Sequence, residues 1–241
     1  MTGLFDVHCH IIPGVDDGAE NIEESVKMLR IEYEEGIRTI IATPHYRTKM
    51  FETPIETIRE RFVLVKKEAE AMGMRIYLGC EFHAKMDMAS MLKAGKVMSM
   101  AGSRYVLIEF PDNADKGYVK ERLFSLISNG YRPIIAHIER YEKVRKDFDF
   151  IDEMVEMGAK VQVNTASISG QDGFTIKRFC SRLMKEDLLH FVGTDGHGTK
   201  QRIPKMKDAY NYVAKKMGED YAEEIFILNP SKIVRHAEEV S

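Results

Sequence analysis

Histidines and carboxylates recur at one kind of position along this chain of 241 residues. The segment FDVHCHIIPGVDDGAE, residues 5–20, begins like a buried strand and yet carries two histidines and then an acidic turn. Titratable groups are costly in a core unless something compensates their charge or their hydrogen-bonding capacity. Imidazole nitrogens and carboxylate oxygens together are typical ligands of divalent cations. The segment therefore predicts metal ligation.

The spacing of the paired donors fits this chemistry. His8 and His10 are two residues apart on a predicted strand, so both side chains face the same way and can bind one ion. Asp195 and His197 repeat that spacing near the end of the chain. Cys9 lies between the two histidines and is expected to face the opposite side, into the core.

Short apolar segments alternate with amphipathic ones, and these elements must position the donors. We predict seven strands, at residues 5–11, 39–44, 75–82, 105–110, 132–138, 160–168 and 190–195. Such alternation implies a parallel sheet with helical crossovers, and about 34 residues per unit is the size of a barrel repeat. A doubly wound open sheet is the competing fold. No glycine-rich phosphate-binding motif follows the first strand, which disfavours a nucleotide-binding version of that fold.

Helical periodicity fills the segments between the strands. The apolar face of the first helix is expected to hold Ile22, Val26, Leu29 and Tyr33. Glycines that can adopt a left-handed cap are expected to end four helices, at Gly36, Gly73, Gly158 and Gly218.

The carboxyl ends of parallel strands meet on one rim, and the donors fall at those ends. With one acid from the turn after the first strand, nine candidate ligands are His8, His10, Asp17, His45, Glu81, Glu109, His137, Asp195 and His197. One cation takes about four to six ligands, so this set predicts two or three cations and a bridging carboxylate. Asp16 is expected to form the turn. The remaining histidines, His83, His190 and His236, have no partner on the rim and are expected to be structural or exposed.

Composition excludes several classes of function. The formal net charge of −3 and the pI of about 6.3 provide no basic field for nucleic acid. No apolar segment approaches the roughly 20 residues that a membrane-spanning helix needs. The three cysteines are far apart and form no CxxC pair, which indicates reduced thiols and a cytoplasmic protein. No linker interrupts the pattern, so we expect one domain over residues 1–241.

The motifs D-x-H-x-H-I, DDG, TPH, G-x-E, Y-x-L-I-E-F, A-H-x-E-R-Y and a final D-x-H before R-x-P resemble those of the PHP (polymerase and histidinol phosphatase) superfamily. The pattern is most similar to the bacterial metal-dependent protein tyrosine phosphatases of the CpsB/YwqE type, found with capsule and exopolysaccharide systems. The resemblance covers residues 5 to roughly 235. It implies a PHP-type distorted (β/α)7 barrel that is TIM-barrel-like. It also favours Asp17 over Asp16 as a ligand.

The resemblance further assigns the donors to individual ions. One ion would be held by His8, His10, Glu81 and Asp195. A second would be held by Glu81 as the bridge, with Glu109 and His137. A third would use Asp17, His45 and His197. Two arginines of the pattern, matching Arg140 and Arg202, would stand beside the metals. Manganese is favoured by the resemblance, while the mixed oxygen and nitrogen donors also suit iron, zinc or cobalt.

The function implied is hydrolysis of phosphotyrosine, with the tyrosine-rich tail of a bacterial tyrosine kinase as the partner. Clustered cations make hydroxide available for attack on phosphorus, and the arginines would bind the remaining phosphate oxygens. The alternative for each arginine is an ion pair with Glu139 or Asp208 that stabilises a loop. No C-x5-R motif supplies a thiolate nucleophile, since Glu186 stands at the sixth position after Cys180.

Three other functions stay open at this point. A small-molecule phosphatase of the histidinol phosphatase type would share the same site. A non-phosphate amidohydrolase would use similar metal ligands. A non-enzymatic metal-binding PHP module would be signalled by a lost ligand, and all nine are present here.

Overall fold

Seven parallel strand segments, here called passes, form the centre of the fold. Two of the passes are interrupted, and each of these consists of two shorter strands. The computed structural model describes residues 3–240, with side chains for residues 3–235. The strands are β1 (Leu4–Cys9), β2 (Ile37–Ala42), β3 (His45–Tyr46), β4 (Arg75–Leu78), β5 (Glu81–His83), β6 (Tyr105–Glu109), β7 (Arg132–Ile135), β8 (Lys160–Asn164) and β9 (Phe191–Gly193).

Helices cover the outside of these strands. The α-helices are α1 (Ile22–Glu34), α2 (Ile55–Ala71), α3 (Met88–Lys93), α4 (Lys116–Ser128), α5 (Glu142–Arg145), α6 (Phe148–Glu156), α7 (Thr165–Ser169), α8 (Phe174–Lys185), α9 (Lys207–Met217), α10 (Glu219–Glu223) and α11 (Asn229–Val240). Two 3₁₀ turns lie at Met100–Gly102 and Ile138–Arg140, and a π-helical turn at Glu224–Leu228. Within residues 3–240 no helix combines the length and the apolar character that crossing a membrane requires.

The strands form one curled surface in chain order. One sheet has the order β1-β2-β4 and the other the order β3-β5-β6-β7-β8-β9, and every pair is parallel. Backbone hydrogen bonds join the last pass to the first, from Asp195 N to His8 O at 2.7 Å and from His10 N to Gly196 O at 2.8 Å. The predicted (β/α)7 barrel, TIM-barrel-like and distorted, is confirmed.

All seven predicted strands have different bounds in the structure, and in three of them the difference is a break or the start of an α-helix. The second pass is broken between β2 and β3, where Pro44 has no N–H to donate to a ladder. The third pass is broken between β4 and β5, although its extended course continues, since Glu81 N donates to Pro44 O at 3.1 Å. The strand predicted over 160–168 is too long, because α7 begins directly after Asn164.

The structure agrees with the helix ends predicted from the sequence, and it corrects one predicted helix face. Asn21 caps α1 by accepting a hydrogen bond from Glu24 N at 2.9 Å. The four glycines expected to end helices have positive φ angles, in chain order +89°, +72°, +106° and +100°. The predicted buried face of α1 is wrong in part: the buried residues are Ser25, Met28, Leu29 and Glu32. Tyr33 is 42% exposed and lies under the Arg38 guanidinium at 3.7 Å.

Apolar packing closes one end of the barrel. A cluster of buried residues combines Phe5, Val7 and Phe191 from the strands with Ile233 and Val234 of α11. The larger core lies between the strands and the surrounding helices. Because α11 covers this end, the opposite end, where the strands terminate, is left for polar side chains.

Buried acids lie between β1 and α1. The Cys9 thiol donates to Glu32 Oε1 at 3.0 Å, and Glu32 Oε2 has no hydrogen-bond partner. Burial raises the pKa of Asp6 to about 6, although hydrogen bonds from Thr194 oppose this shift. Burial, together with the nearby Asp6, raises the pKa of Glu32 well above its usual range. These three donors lie within ligand distance of one another, but the pKa shifts favour their protonated forms.

The raised pKa of Glu32 predicts a pH-dependent stability. Above pH about 4.5 the unfolded chain loses a proton that the folded chain keeps, so the free energy of unfolding falls as pH rises. Glu32→Gln cannot titrate. We therefore expect it to gain stability relative to the wild type between about pH 5 and 8, by up to about 1.4 kcal/mol per pH unit. Urea unfolding at fixed metal concentration measures this difference.

Glu23→Gln provides the control, because Glu23 is exposed on the same helix. Its stability difference from the wild type should not change with pH. Parallel pH curves for Glu32→Gln and the wild type would contradict the protonated state of Glu32.

Candidate metal centre

All nine predicted donors lie at the end of the barrel opposite α11. Each comes from the end of a strand or from the segment directly after it, apart from Asp17 in the turn before α1. Groups of donor atoms that all lie within 4.8 Å of one another are His8, His10, Glu81 and Asp195; His45, Glu81 and Glu109; and His10, Asp17, His45 and His197. The ninth donor, His137, contacts the second group, with Nε2 2.8 Å from Glu81 Oε1.

The first group is fully buried and compact. His8 Nε2 lies 3.2 Å from His10 Nε2, and each lies within 3.2 Å of Glu81 Oε2. The distances from these two nitrogens to Asp195 Oδ1 are 3.4 and 3.5 Å. Four ligand atoms about 2.1 Å from one ion in a tetrahedron are separated by about 3.4 Å, so this group has the dimensions of a divalent cation site.

The second group shares Glu81 with the first. His45 Nδ1 lies 3.0 Å from Glu81 Oε2, and His137 Nε2 lies 3.7 Å from Glu109 Oε1. Glu81 Oε2 thus lies against His8, His10 and His45, and Glu81 Oε1 lies against His137, so its two oxygens face different donors, as those of a bridging carboxylate do.

The third group is the most accessible of the three. Asp17, which is 52% exposed, places Oδ1 3.5 Å from His45 Nε2 and 3.6 Å from His197 Nε2. The rings of His10 and His197 have centroids 3.9 Å apart. The groups overlap more than the sequence-based assignment of donors to ions expected, because His10 and His45 each touch two of them.

Electrostatics keeps the carboxylates ionised. Burial alone would raise the pKa of Glu81, but the imidazoles of His8 and His45 outweigh it and hold the pKa well below its usual range. The pKa of Asp195 is likewise well below its usual range, because His8, His10 and Arg140 outweigh its burial.

Several buried donor atoms in this cluster make no hydrogen bond of suitable geometry among the described residues, although some of them lie close to one another. They are Glu81 Oε2, Asp195 Oδ1, His45 Nδ1, His137 Nδ1 and His197 Nε2. A buried polar atom without a partner costs about 1–3 kcal/mol, and more if it is charged. Divalent cations coordinated by these atoms would remove that cost, so the residues fit the predicted metals.

Asp16 orients a donor, a role that the sequence did not indicate. Its Oδ2 lies 2.8 Å from His10 Nδ1 and also accepts from His45 N at 2.9 Å. Its Oδ1 accepts from Gly18 N at 3.0 Å, which is the expected turn contact. A carboxylate behind a ligating histidine sets the tautomer and the orientation of the ring.

Two polar residues of β8 form hydrogen bonds with residues of the cluster. Gln162 Oε1 lies 3.2 Å from His8 Nδ1 and accepts from His137 N at 2.8 Å. Gln162 Nε2 donates to Asn164 Oδ1, and Asn164 Nδ2 donates to Asp195 Oδ2, each at 2.9 Å. Sequence reasoning missed both residues. The signal was present in KVQVN, where two amides alternate with valines in a strand predicted to be buried.

One histidine contradicts the sequence-based prediction. His83 Nδ1 lies 3.0 Å from Glu109 Oε2, so His83 has a partner on the rim after all. Strand alternation explains this contact, because His83 lies two residues beyond Glu81 and opposite Glu109 in the β5–β6 register. His190 is structural as expected, with its ring against the backbone of β8. The side chain of His236 lies outside the described residues.

Arg140 and Arg202 meet on a single carboxylate. Their Nη2 atoms lie 2.6 and 2.5 Å from Asp195 Oδ2, and their side chains are 43% and 38% exposed. The alternative ion pairs with Glu139 and Asp208 do not form; Glu139 instead accepts from Asn164 N and the Ser167 hydroxyl. Both arginines line a cavity of about 290 Å³ next to Asp195.

Backbone strain is concentrated in this cluster. His137, Asp195 and Arg202 have φ angles of +31°, +53° and +47°, which side chains with a Cβ rarely adopt. Residues held in this way cluster at functional sites, where the surrounding structure enforces the conformation.

Comparison with known proteins agrees with this geometry. Residues 4–235 match the family described as capsular polysaccharide synthesis, CpsB/CapC. This chain belongs to the CpsB/CapC family. It is 35% identical over 238 residues to the tyrosine-protein phosphatase CpsB of Streptococcus pneumoniae, a match that covers 96% of this chain and 98% of that relative.

Solved structures agree with the CpsB/CapC assignment. A chain from the crystal structures of YwqE from Bacillus subtilis and CpsB from Streptococcus pneumoniae, described as metal-dependent tyrosine phosphatases, has a TM-score of 0.90 and 31% identity. That match covers 96% of this chain and 94% of the other. The phosphotriesterase homology protein from Escherichia coli, with a TM-score of 0.63 and 11% identity over 97% of this chain and 99% of the other, shares the fold alone.

The position of Asp16 behind His10 predicts that loss of this carboxylate weakens metal binding in this CpsB/CapC family member. Asp16→Asn replaces one carboxylate oxygen by an NH2 donor and removes the negative charge behind His10, so the side chain can no longer accept from His10 and His45 at one oxygen and from Gly18 N at the other. We expect the affinity for Mn²⁺ to fall about 10- to 100-fold, as is typical when the partner of a ligating histidine is lost. Calorimetric titration of chelator-treated protein measures the affinity. Asp112→Asn, at an exposed loop position, should leave it unchanged, and equal affinities for both variants would refute the orienting role.

Proposed function

We propose that this chain is a metal-dependent tyrosine-protein phosphatase. Its substrate would be the phosphotyrosine-bearing tail of a bacterial tyrosine kinase in capsule or exopolysaccharide biosynthesis. The observation that carries the proposal is the junction at Asp195, where one carboxylate faces buried histidines through one oxygen and two half-exposed arginines through the other. The proposed metal ligands and the proposed phosphate-binding arginines thus meet at this one carboxylate.

The nine donors are the proposed ligands, for two or three divalent ions. Mixed nitrogen and oxygen donors suit manganese, which we favour, and also iron, zinc or cobalt. Such ions, when bound, supply positive charge to phosphate oxygens and make a water molecule nucleophilic near neutral pH. The low pKa of Glu81 and Asp195 keeps these carboxylates ready for coordination.

Arg140 and Arg202 are the proposed phosphate-binding residues. Each uses one terminal nitrogen on Asp195, which leaves further N–H groups of the guanidinium for a ligand in the adjoining cavity. Charge-assisted bonds from these groups would strengthen as negative charge develops on the phosphoryl oxygens. The leaving phenolate of tyrosine has a conjugate-acid pKa near 10 and departs more readily than an alkoxide.

A cysteine nucleophile is disfavoured. Cys9, Cys80 and Cys180 are all buried, and burial raises the pKa of each thiol. A buried thiol of raised pKa is inert, because the thiolate is the nucleophile. Unpaired cysteines also agree with the proposal that the protein works in the cytoplasm. We further propose that residues 1–241 act as a single metallophosphatase domain.

Dephosphorylation of a phosphotyrosine peptide tests the function. The protein purified without chelator should release phosphate and contain two or three metal ions per chain by elemental analysis. Chelator should abolish the activity, and Mn²⁺ should restore it. Faster hydrolysis of histidinol phosphate than of the peptide would favour a small-molecule phosphatase. A folded, metal-loaded protein that hydrolyses neither compound, nor para-nitrophenyl phosphate, would overturn the proposal that it is an enzyme.

Removal of either arginine should act on turnover. Arg140→Ala and Arg202→Ala are each expected to lower kcat by about 10²–10³, the usual cost of losing one donor to the transition state. Lysine should not restore kcat, since it lacks the planar fork of donors. Arg178→Ala, which changes an exposed arginine of α8, is the control.

Metal content and melting temperature of the arginine variants need to be measured with the kinetics, because both guanidiniums also contact Asp195. Near-normal turnover would exclude the proposed role for that arginine. A loss of activity that only parallels a loss of metal would reduce its role to holding Asp195.

A further inference from the structure

A short hairpin stands beside the metal centre. Residues 47–51 fold back on themselves after β3, with hydrogen bonds from Arg47 N to Phe51 O at 2.9 Å and from Phe51 N to Arg47 O at 2.8 Å. Lys49 takes a φ of +67° at its tip. The Thr53 hydroxyl donates to Val15 O at 2.7 Å, which ties the base of the hairpin to the turn that carries Asp16 and Asp17.

The hairpin brings apolar side chains to a site that is otherwise polar. The Phe51 ring lies parallel to the His45 imidazole, with centroids 5.2 Å apart and an angle of 10° between the planes. Its neighbour Met50 is 59% exposed. Among the described residues one other aromatic ring, Tyr141, contacts a proposed ligand, and that ring is buried. Phe51 is therefore the aromatic group at the open side of the cluster.

Ions and arginines cannot distinguish one phosphate monoester from another. The phosphoryl group is the same in an aryl and an alkyl ester, so discrimination needs a contact to the group beyond the bridging oxygen. The Phe51 ring lies beside His45, a proposed metal ligand, so its apolar surface borders the position of a phosphoryl group held at the metals. Aromatic rings and methionine sulfur both attract an aryl ring.

We propose that Met50 and Phe51 form a wall that receives the aromatic ring of the substrate and makes the site select aryl over alkyl phosphate monoesters. This inference rests on the proposed phosphatase function and adds the structural basis of its substrate class. The two residues are specificity-determining, whereas the metal ligands and the arginines act on the phosphoryl group common to all such substrates.

Binding of non-hydrolysable phosphonates to the metal-loaded protein tests the wall without turnover. The probes are phenylphosphonate, methylphosphonate and inorganic phosphate, measured by calorimetry. Phe51→Ala should weaken phenylphosphonate about 2- to 10-fold and leave the other two probes within about 2-fold. Met50→Ala should act in the same direction by a similar or smaller factor. Phe51→Tyr keeps the ring and should keep the affinity.

Phe124→Ala is the matched control, because Phe124 is an aromatic residue of α4 that is 65% exposed. Its affinities should equal those of the wild type. An unchanged ratio of phenylphosphonate to methylphosphonate affinity in Phe51→Ala and Met50→Ala overturns the wall. Equal weakening of all three probes, with loss of metal, also overturns it, because Phe51 would then only support His45.

Binding of the three probes to the wild-type protein separates failure of this inference from failure of the proposed function on which it rests. If inorganic phosphate and both phosphonates bind, and the phenyl group adds no affinity, the wall alone fails. If none of the three probes binds to the metal-loaded wild type, the phosphatase proposal fails, and the wall fails with it.

Discussion

Glu81 is a carboxylate with no solvent exposure that lies against four imidazoles from three different strand ends. Its ionised form is tolerable in the core only because His8, His10, His45 and His137 surround it. Those four histidines are separated by up to 129 positions in the chain, so they meet only when the barrel closes. Local structure cannot produce this contact, and any distortion of the strand ends would leave a buried carboxylate without the imidazoles that compensate its charge.

The closure of the barrel is therefore coupled to the site. The hydrogen bond from Asp195 N to His8 O joins the last pass to the first and also places two donors side by side. The price is backbone strain at His137, Asp195 and Arg202, which costs about 1–3 kcal/mol for each residue. Contacts such as His137 N to Gln162 Oε1 and His197 N to Arg202 O hold these residues in place. The strained residues are two of the proposed metal ligands and one of the proposed phosphate-binding arginines.

Around the donors, a layer of polar residues with no proposed metal contact sets their directions. Asp16 is positioned behind His10, Gln162 behind His8, and His83 behind Glu109. Pre-oriented donors do not have to reorganise when a ligand binds, which is how polar sites gain strength in a core of low dielectric. The same requirement explains why β8 contributes amides and no ligand: its side chains serve neighbours on both sides.

The sequence by itself determined the fold class and the identity of the candidate donors. Alternating strands and helices imply a parallel sheet, and the carboxyl ends of parallel strands share one edge, so residues such as His137 and Glu109 could be grouped before any contact was known. Periodicity and spacing are local properties of the sequence, so they can be identified without the tertiary structure.

Only the tertiary structure decided how the side chains pair. Glu32 faces inward, where the Cys9 thiol of another element donates to it, and Tyr33, the next residue of the helix, lies at the surface. Arg140 and Arg202 form ion pairs with Asp195 and not with Glu139 or Asp208, although Glu139 is adjacent in sequence to Arg140. The reason is that hydrogen bonds and ion pairs fall off within a few ångströms, so which partner wins depends on distances that the closed barrel sets and that sequence spacing does not encode.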